Sequence, residues 1–380
     1  YDFEFYSGCN WNYLKTILVP YSQLNLIKPR KEEGVVFPEM IIFQPDYLVD
    51  ISAIASCFKP YGNNFLNRLI DRIRPKETTV PILLGKFAGQ LLDEALHSLL
   101  IDYKTSVKTF FKTNAVDIAL IDEEDLMDFH QAAKVQMANI QQFFQRQQFL
   151  GREESRLNLQ VEPSFFSEML GLQGRMDLLS FSSVHTFVFE QKSGKMDEYH
   201  GKMREEHYVQ ILLYMLLLHY NYDLSYEQQM SCYLFYSKYD LSQGLIRITN
   251  APQLLFEAIR LRNLMVAAEF RYAKGEAANI LLELQPENLR EKISEDSILW
   301  TEYVLPELSQ TLSLIQQADD LSKAYYFRFL QFLHQEHLLA KVGSPTKLGS
   351  GFASSWHTAM MDKIAQGNLF VDLNIVDFLD

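Results

Sequence analysis

The stretch GRMDLLSFSSVHTFVFEQKSGK, Gly174 to Lys195, decides how the rest of the chain is read. Two short runs of aliphatic and aromatic residues flank Ser182 and Ser183, the composition of a hairpin around its turn. Side chains alternate across a strand, so Glu190 and Lys192 share one face while Gln191 points to the other. A regular hairpin then sets Asp177, at the start of the first strand, opposite Glu190, near the end of the second. Two carboxylates and the backbone carbonyl of Gln191 are hard oxygen ligands of the kind that Mg²⁺ or Mn²⁺ prefers. Lys192 beside them is placed to stabilise charge developing on a phosphate.

Glu-x-Lys alone is a weak signal, and by itself it reads as an exposed ion pair worth little. The segment that follows, EHYVQILLYMLLL, strengthens it. His207, Gln210 and Tyr214 recur at i, i+3 and i+7, on one face of a helix that is otherwise apolar. Buried polar groups need hydrogen-bond partners. Taken alone, the helix reads as a satisfied glutamine and an interfacial tyrosine; straight after the Glu-x-Lys strand, it supports a polar site.

Working outward, LLGKFAGQLLDEALHSLLIDY reads as one amphipathic helix, and a second runs from about Glu123 to Gln148. NLQVEPSF, GRMDLLSF and HTFVFEQK read as strands of a meander, followed by the helix REEHYVQILLYMLLLHYNY. SCYLFYSK and GLIRIT suit a second hairpin around YDLSQG. From Asn250, an N-cap before Pro252, the chain reads as mostly helical to about Ala340. These shifts divide it into an irregular α+β region over 1–80, a core over 81–250 and a mainly helical part over 251–380.

The 380 residues, 48% hydrophobic and 22% charged, can bury a sizeable core. Cys9, Cys57 and Cys232 lie far apart with no Cys-x-x-Cys, which excludes a disulfide framework and a four-cysteine iron–sulfur cluster and fits a reducing compartment. VQILLYMLLL is too short to span a bilayer, so no membrane segment is expected. The chain opens on Tyr1 without a signal peptide, and the expectation is a cytoplasmic piece of a longer protein. A net charge of -13 opposes binding to phosphates through a generally basic surface. Locally, Lys192, Lys195, Lys202 and Arg204 outnumber Asp197 and Glu198, and Arg175 precedes Asp177. KPRK and RLIDRIRPK read as solvated surface or, less favoured, as a path for single-stranded DNA. No nucleotide-binding G-x-x-x-x-G-K-[ST], G-x-S-x-G or H-E-x-x-H occurs.

G-x-x-D at Gly174 to Asp177, then E-x-K, then Q-x-x-x-Y at Gln210 to Tyr214 resembles the PD-(D/E)XK nuclease superfamily, in its RecB-like branch. VEPSFFSEMLGLQGRMDLLSF and EQKSGK…EHYVQILLYMLLL look most like the nuclease domain of flap-cleaving replication and repair nuclease–helicases. The resemblance covers Val161 to Leu218 and extends to Leu84–Leu100. It implies a restriction-endonuclease-like α/β fold, a mixed central sheet flanked by helices with a mainly helical C-terminal extension. It further implies a Mg²⁺- or Mn²⁺-dependent deoxyribonuclease acting on single-stranded or flap DNA, joined to a C-terminal helicase. Asp177 and Glu190, with the Gln191 carbonyl, would hold the metal, and Lys192 would be catalytic. Gln210, Tyr214, His207 and Arg175 would support the site or contact DNA.

Two departures stand out. Such nucleases carry a metal-binding histidine four residues after a glycine, where this chain has Gly89. Asp93, with His97 a turn beyond, is the candidate substitute. The iron–sulfur cysteines of the flap nucleases are absent from the sequence. The alternative reading is a nuclease fold without catalysis, serving as a DNA-binding or scaffolding domain of a repair complex.

Overall fold

A computed structural model describes residues 10–98, 100–146, 159–181, 185–197, 203–226, 229–344 and 350–373. Its centre is a mixed five-stranded sheet with helices on both faces.

On one face lie α1 (Val80–His97) and α2 (Glu123–Arg146), which bury Phe87, Leu91, Phe129 and Phe143 against Leu178, Phe187, Phe189 and Phe235 of the sheet. Helix α1 is shorter than the periodicity suggests. Ser98 turns extended, and the Asp102 carboxylate accepts from the Thr105 N–H to begin a separate helix, Tyr103–Thr113. A side-chain cap outweighs a continuing apolar pattern at that point. The turn at Ser182 and Ser183, the end of α2 at Gln148, Cys9, Glu198 and Lys202 lie outside the described residues.

The strands that build the sheet and the site are β1 (Leu159–Val161), β2 (Ser164–Ser167), β3 (Leu172–Arg175), β4 (Leu178–Phe181) and β5 (Thr186–Lys192). Helix α3 (Glu205–Tyr222) follows, then β6 (Met230–Tyr236) and β7 (Leu245–Ile248). The central sheet runs β7-β6-β5-β4-β1, with β5 and β6 parallel and the other neighbours antiparallel. The expected meander is interrupted. Glu162 adopts a left-handed φ of 49°, and the β2–β3 hairpin leaves the main sheet to pair with Val49–Asp50. Strand β4 therefore returns to pair with β1, and Asp177 falls at the gap between β3 and β4.

Helix α3 crosses the second face and buries Val209, Leu213 and Leu217 together with Val188 and Leu234. Beside it runs α4 (Pro252–Tyr272), whose N-cap is Ala251 rather than Asn250, since Pro252 occupies the first turn and makes the preceding residue the cap. The Arg262 guanidinium of α4 is fully buried and donates to the carbonyls of Phe43, Gln44, Tyr47 and Gly171. Burial pushes its pKa down to about 9. Gly171, with φ +61°, has no room for a Cβ against that guanidinium. Arg262 thus ties the N-terminal segment to the turn that leads into β3, which carries the site. The chain continues as mainly helical, through α5 (Asp320–Val342). Among the described residues no helix is long and apolar enough to cross a membrane.

Candidate active site

Strand β5 alternates as its composition demands. Phe187, Phe189 and Gln191 face α2, whereas Val188, Glu190 and Lys192 face α3. The register Leu178↔Phe189 brings Asp177 and Glu190 next in line, the pairing expected from the sequence. The strands separate there. Met176 N–H donates to the Pro163 carbonyl instead of crossing to β5, and the Asp177 carboxylate accepts the freed Gln191 N–H at 2.6 Å. The carbonyl of an extended residue projects toward the same edge as its N–H, so that of Gln191 is turned to Asp177 as well.

Glu190, only 3% exposed, uses its two oxygens unequally. Oε1 accepts from Lys192 Nζ at 2.8 Å and from Gln210 Nε2 at 2.7 Å, while Oε2 is buried with no partner among the described residues. Gln210 also accepts from Lys192 at 2.9 Å and donates to the Tyr214 hydroxyl at 3.1 Å. That hydroxyl donates to the Arg175 carbonyl at 2.6 Å, closing a chain of hydrogen bonds from Lys192 back to the end of β3.

Electrostatics follow from this crowding. Loss of hydration, and then the charge of Glu190, push the Asp177 carboxyl well above its ordinary range. Burial opposes the charge of Lys192, but Glu190 and Asp177 outweigh it and hold the ammonium above its ordinary pKa. Among the described residues, Glu190 and Gln210 engage two of its three N–H bonds.

The other expected residues sit further out. His207, on α3, meets the end of β6: the Tyr236 hydroxyl accepts from the Arg204 N–H and shares a hydrogen bond with His207 Nδ1 at 2.8 Å. Burial, then the charges of Lys192 and Arg204, lower the His207 pKa to about 3, so it is neutral. Arg175 is exposed and paired with Glu162 at 3.0 Å. Asp93, 57% exposed on its side chain and 3.5 Å from His97, lines a cavity of about 730 Å³ with Asp177, Lys192 and Gly89. It does not join the carboxylates: no group of three His, Cys, Asp or Glu residues suited to one metal ion occurs among the described residues. A Cβ on Gly89 would meet nothing within 4 Å.

Two of the four basic residues of RLIDRIRPK are engaged in ion pairs. Arg72 pairs with the buried Glu269 at 2.5 Å and Arg74 with Glu307 at 2.6 Å. Lys28, in KPRK, lies 4.8 Å over the Tyr220 ring.

Several residues at the site carry no motif. Gln191 Nε2 donates to Ser237 Oγ at 2.9 Å, and Ser237 Oγ in turn to Gln136, so α2 braces the back of β5. Asp50 accepts from Gln173 at 2.7 Å in the wall of a second cavity, about 520 Å³, which also holds Asp177 and Glu190. The Glu-Pro pair at Glu162 is the one local sign of the strand break that creates this space.

A mixed sheet between helical layers, delivering paired carboxylates and a lysine at a strand end, defines a restriction-endonuclease-like protein. A sequence model of the PD-(D/E)XK nuclease superfamily matches residues 63–304, well over half of the chain, and the chain belongs to that superfamily. Members are generally nucleases that work with divalent metal ions such as Mg²⁺. No curated protein matches the chain.

Proposed function

We propose that the chain is a Mg²⁺- or Mn²⁺-dependent deoxyribonuclease cleaving single-stranded or flap DNA. The observation that carries this reading is Glu190 Oε2, an oxygen of the carboxylate that lines a cavity with Asp177, buried with no hydrogen-bond partner among the described residues. Lys192 already meets the charge of this carboxylate through Oε1, while Oε2 keeps lone pairs that a cation can take up. The donor set suits a hard cation: two carboxylates from the protein, one carbonyl, and room for water and phosphate oxygens. Asp177, Glu190 and the Gln191 carbonyl would hold the ion, which supplies Lewis-acid polarisation of the phosphate and lowers the pKa of an attacking water.

The chain's own groups do the rest. Gln210 holds Glu190 Oε1 and Lys192 together, which fixes the carboxylate in the wall of the cavity that Asp177 shares. Lys192 donates its remaining N–H to a non-bridging phosphate oxygen and stabilises charge there. Tyr214 fixes the Arg175 carbonyl, and through it the approach to Asp177.

The resemblance to flap nuclease–helicases supports a role in DNA replication or repair beside a C-terminal helicase. Cleavage of end-labelled single-stranded DNA with Mn²⁺ tests the activity. Loss of at least about a hundredfold in Lys192→Ala is expected, and equal rates in the two proteins would remove Lys192 from the chemistry. The scaffold reading draws on Gly89 and the lack of a third ligating side chain among the described residues. Calorimetry with Mn²⁺ separates the two, because a scaffold has no use for an ion at Asp177.

A further inference from the structure

The cavity that holds Asp177 and Glu190 has an aromatic side that no motif announces. Phe166, on β2, and Phe352, far along the chain beyond α5, both line it. Their rings meet edge to face at 5.6 Å, and they are 42% and 46% exposed. Trp356 backs the pair, 5.8 Å from Phe166 and 5.6 Å from Phe352. Its indole N–H donates to Asp46 at 3.0 Å, which fixes the ring.

The backbone beneath is held just as firmly. Asn221 donates to the Phe166 carbonyl at 2.8 Å, and Phe166 pairs with Gln173 across the small sheet. Phe352 N–H donates to the Ala340 carbonyl at 2.8 Å. Gly343 and Gly351, both with positive φ, approach so closely that neither has room for a Cβ. This contact brings Phe352 back to the cavity from the end of α5.

Large apolar rings clustered half-exposed at the rim of a polar cavity mark a ligand-binding surface. Among the described residues Arg175 is the one cation lining that wall, and it is paired with Glu162. Phosphate neutralisation therefore supplies little affinity on this side, whereas stacking is indifferent to charge. Bases inside a duplex are already stacked on one another, and only an unpaired base offers a free face. We propose that Phe166 and Phe352 form a stacking subsite for an unpaired nucleobase adjoining the scissile phosphate. The subsite makes a single-stranded segment a requirement of binding and gives the C-terminal part of the chain a place in substrate recognition. This rests on the nuclease reading of Asp177 and Glu190.

A cycle between protein ring and base tests it. Phe352→Ala and Phe166→Leu are compared with wild type on a single-stranded oligonucleotide and on the same strand made abasic throughout its central positions. Cleavage is followed with Mn²⁺, and binding is followed separately by fluorescence anisotropy with Ca²⁺. Each variant should bind the normal strand about tenfold more weakly, raise KM more than it lowers kcat, and lose nothing further on the abasic strand. Phe352→Tyr should restore binding. Equal losses on normal and abasic strands, or no loss at all, would overturn the subsite even where cleavage is intact. If wild type binds in a ring-dependent way but does not cleave, the subsite stands and the nuclease reading fails.

Discussion

The ring of Tyr214 occupies the space that a side chain on Gly174 would need. A Cβ built on Gly174 lies 2.8 Å from Tyr214 Cε1 and 3.2 Å from Ile51 Cδ1. The glycine of G-x-x-D and the tyrosine of Q-x-x-x-Y are thus two halves of one contact. Gly174 lets α3 sit close enough to β3 for the Tyr214 hydroxyl to reach the Arg175 carbonyl.

Gly174→Ala should therefore displace Tyr214 and loosen Gln210 behind it. We expect a loss of about 1–3 kcal/mol in stability by urea denaturation, with cleavage falling at least about tenfold. Adding Tyr214→Ala should recover part of the stability lost by Gly174→Ala, since the clash is gone. Strict additivity of the two stability changes would show that they do not touch in solution.

Asp177 gives the site a pH signature. Its folded-state pKa is raised above the unfolded value, so the folded protein holds the extra proton. Ionising it opposes folding progressively as pH rises above the ordinary carboxylate range, and below that range the penalty vanishes. Without divalent metal, Asp177→Asn should melt about a few degrees higher than wild type at pH 8 and no higher near pH 3. A variant less stable than wild type at pH 8 would mean that the carboxylate is not strained by its neighbours.

Arg262 holds four carbonyls that α4 brings together. Arg262→Met would leave them buried and unsatisfied, a loss on the order of 3 kcal/mol or more. Because Gly171 leads into β3, cleavage should fall along with stability. Unchanged urea midpoints would show that water replaces the guanidinium without penalty.

Gly89 faces open space in the cavity shared by Asp177 and Lys192. Gly89→His should place an imidazole there and tighten Mn²⁺ binding about tenfold, while helix propensity adds roughly 0.5 kcal/mol to stability. Calorimetry provides the reading: an unchanged Mn²⁺ affinity would place the ion on the opposite side of Asp177.

Much of the site was legible because its spacing is local. The period of two put Glu190 and Lys192 on one face, and the hairpin register put Asp177 next to Glu190. The helical period put Gln210 and Tyr214 beneath them. His207 shares that periodicity yet bonds Tyr236 on a neighbouring strand, because a helix face is wide enough to meet two partners. Asp93 falls in the right cavity without reaching the carboxylates, since a periodic pattern gives direction but not distance.

The sequence by itself determined the mixed sheet flanked by helices and the three motifs, G-x-x-D, E-x-K and Q-x-x-x-Y, for each depends on residues a few positions apart. The tertiary structure alone decided that Gly174 admits Tyr214, that Glu190 keeps one oxygen unpartnered, and that Phe352 reaches the cavity. Those relations join segments separated by long stretches of chain. Close packing and the closure of turns fix them, and no local period records either.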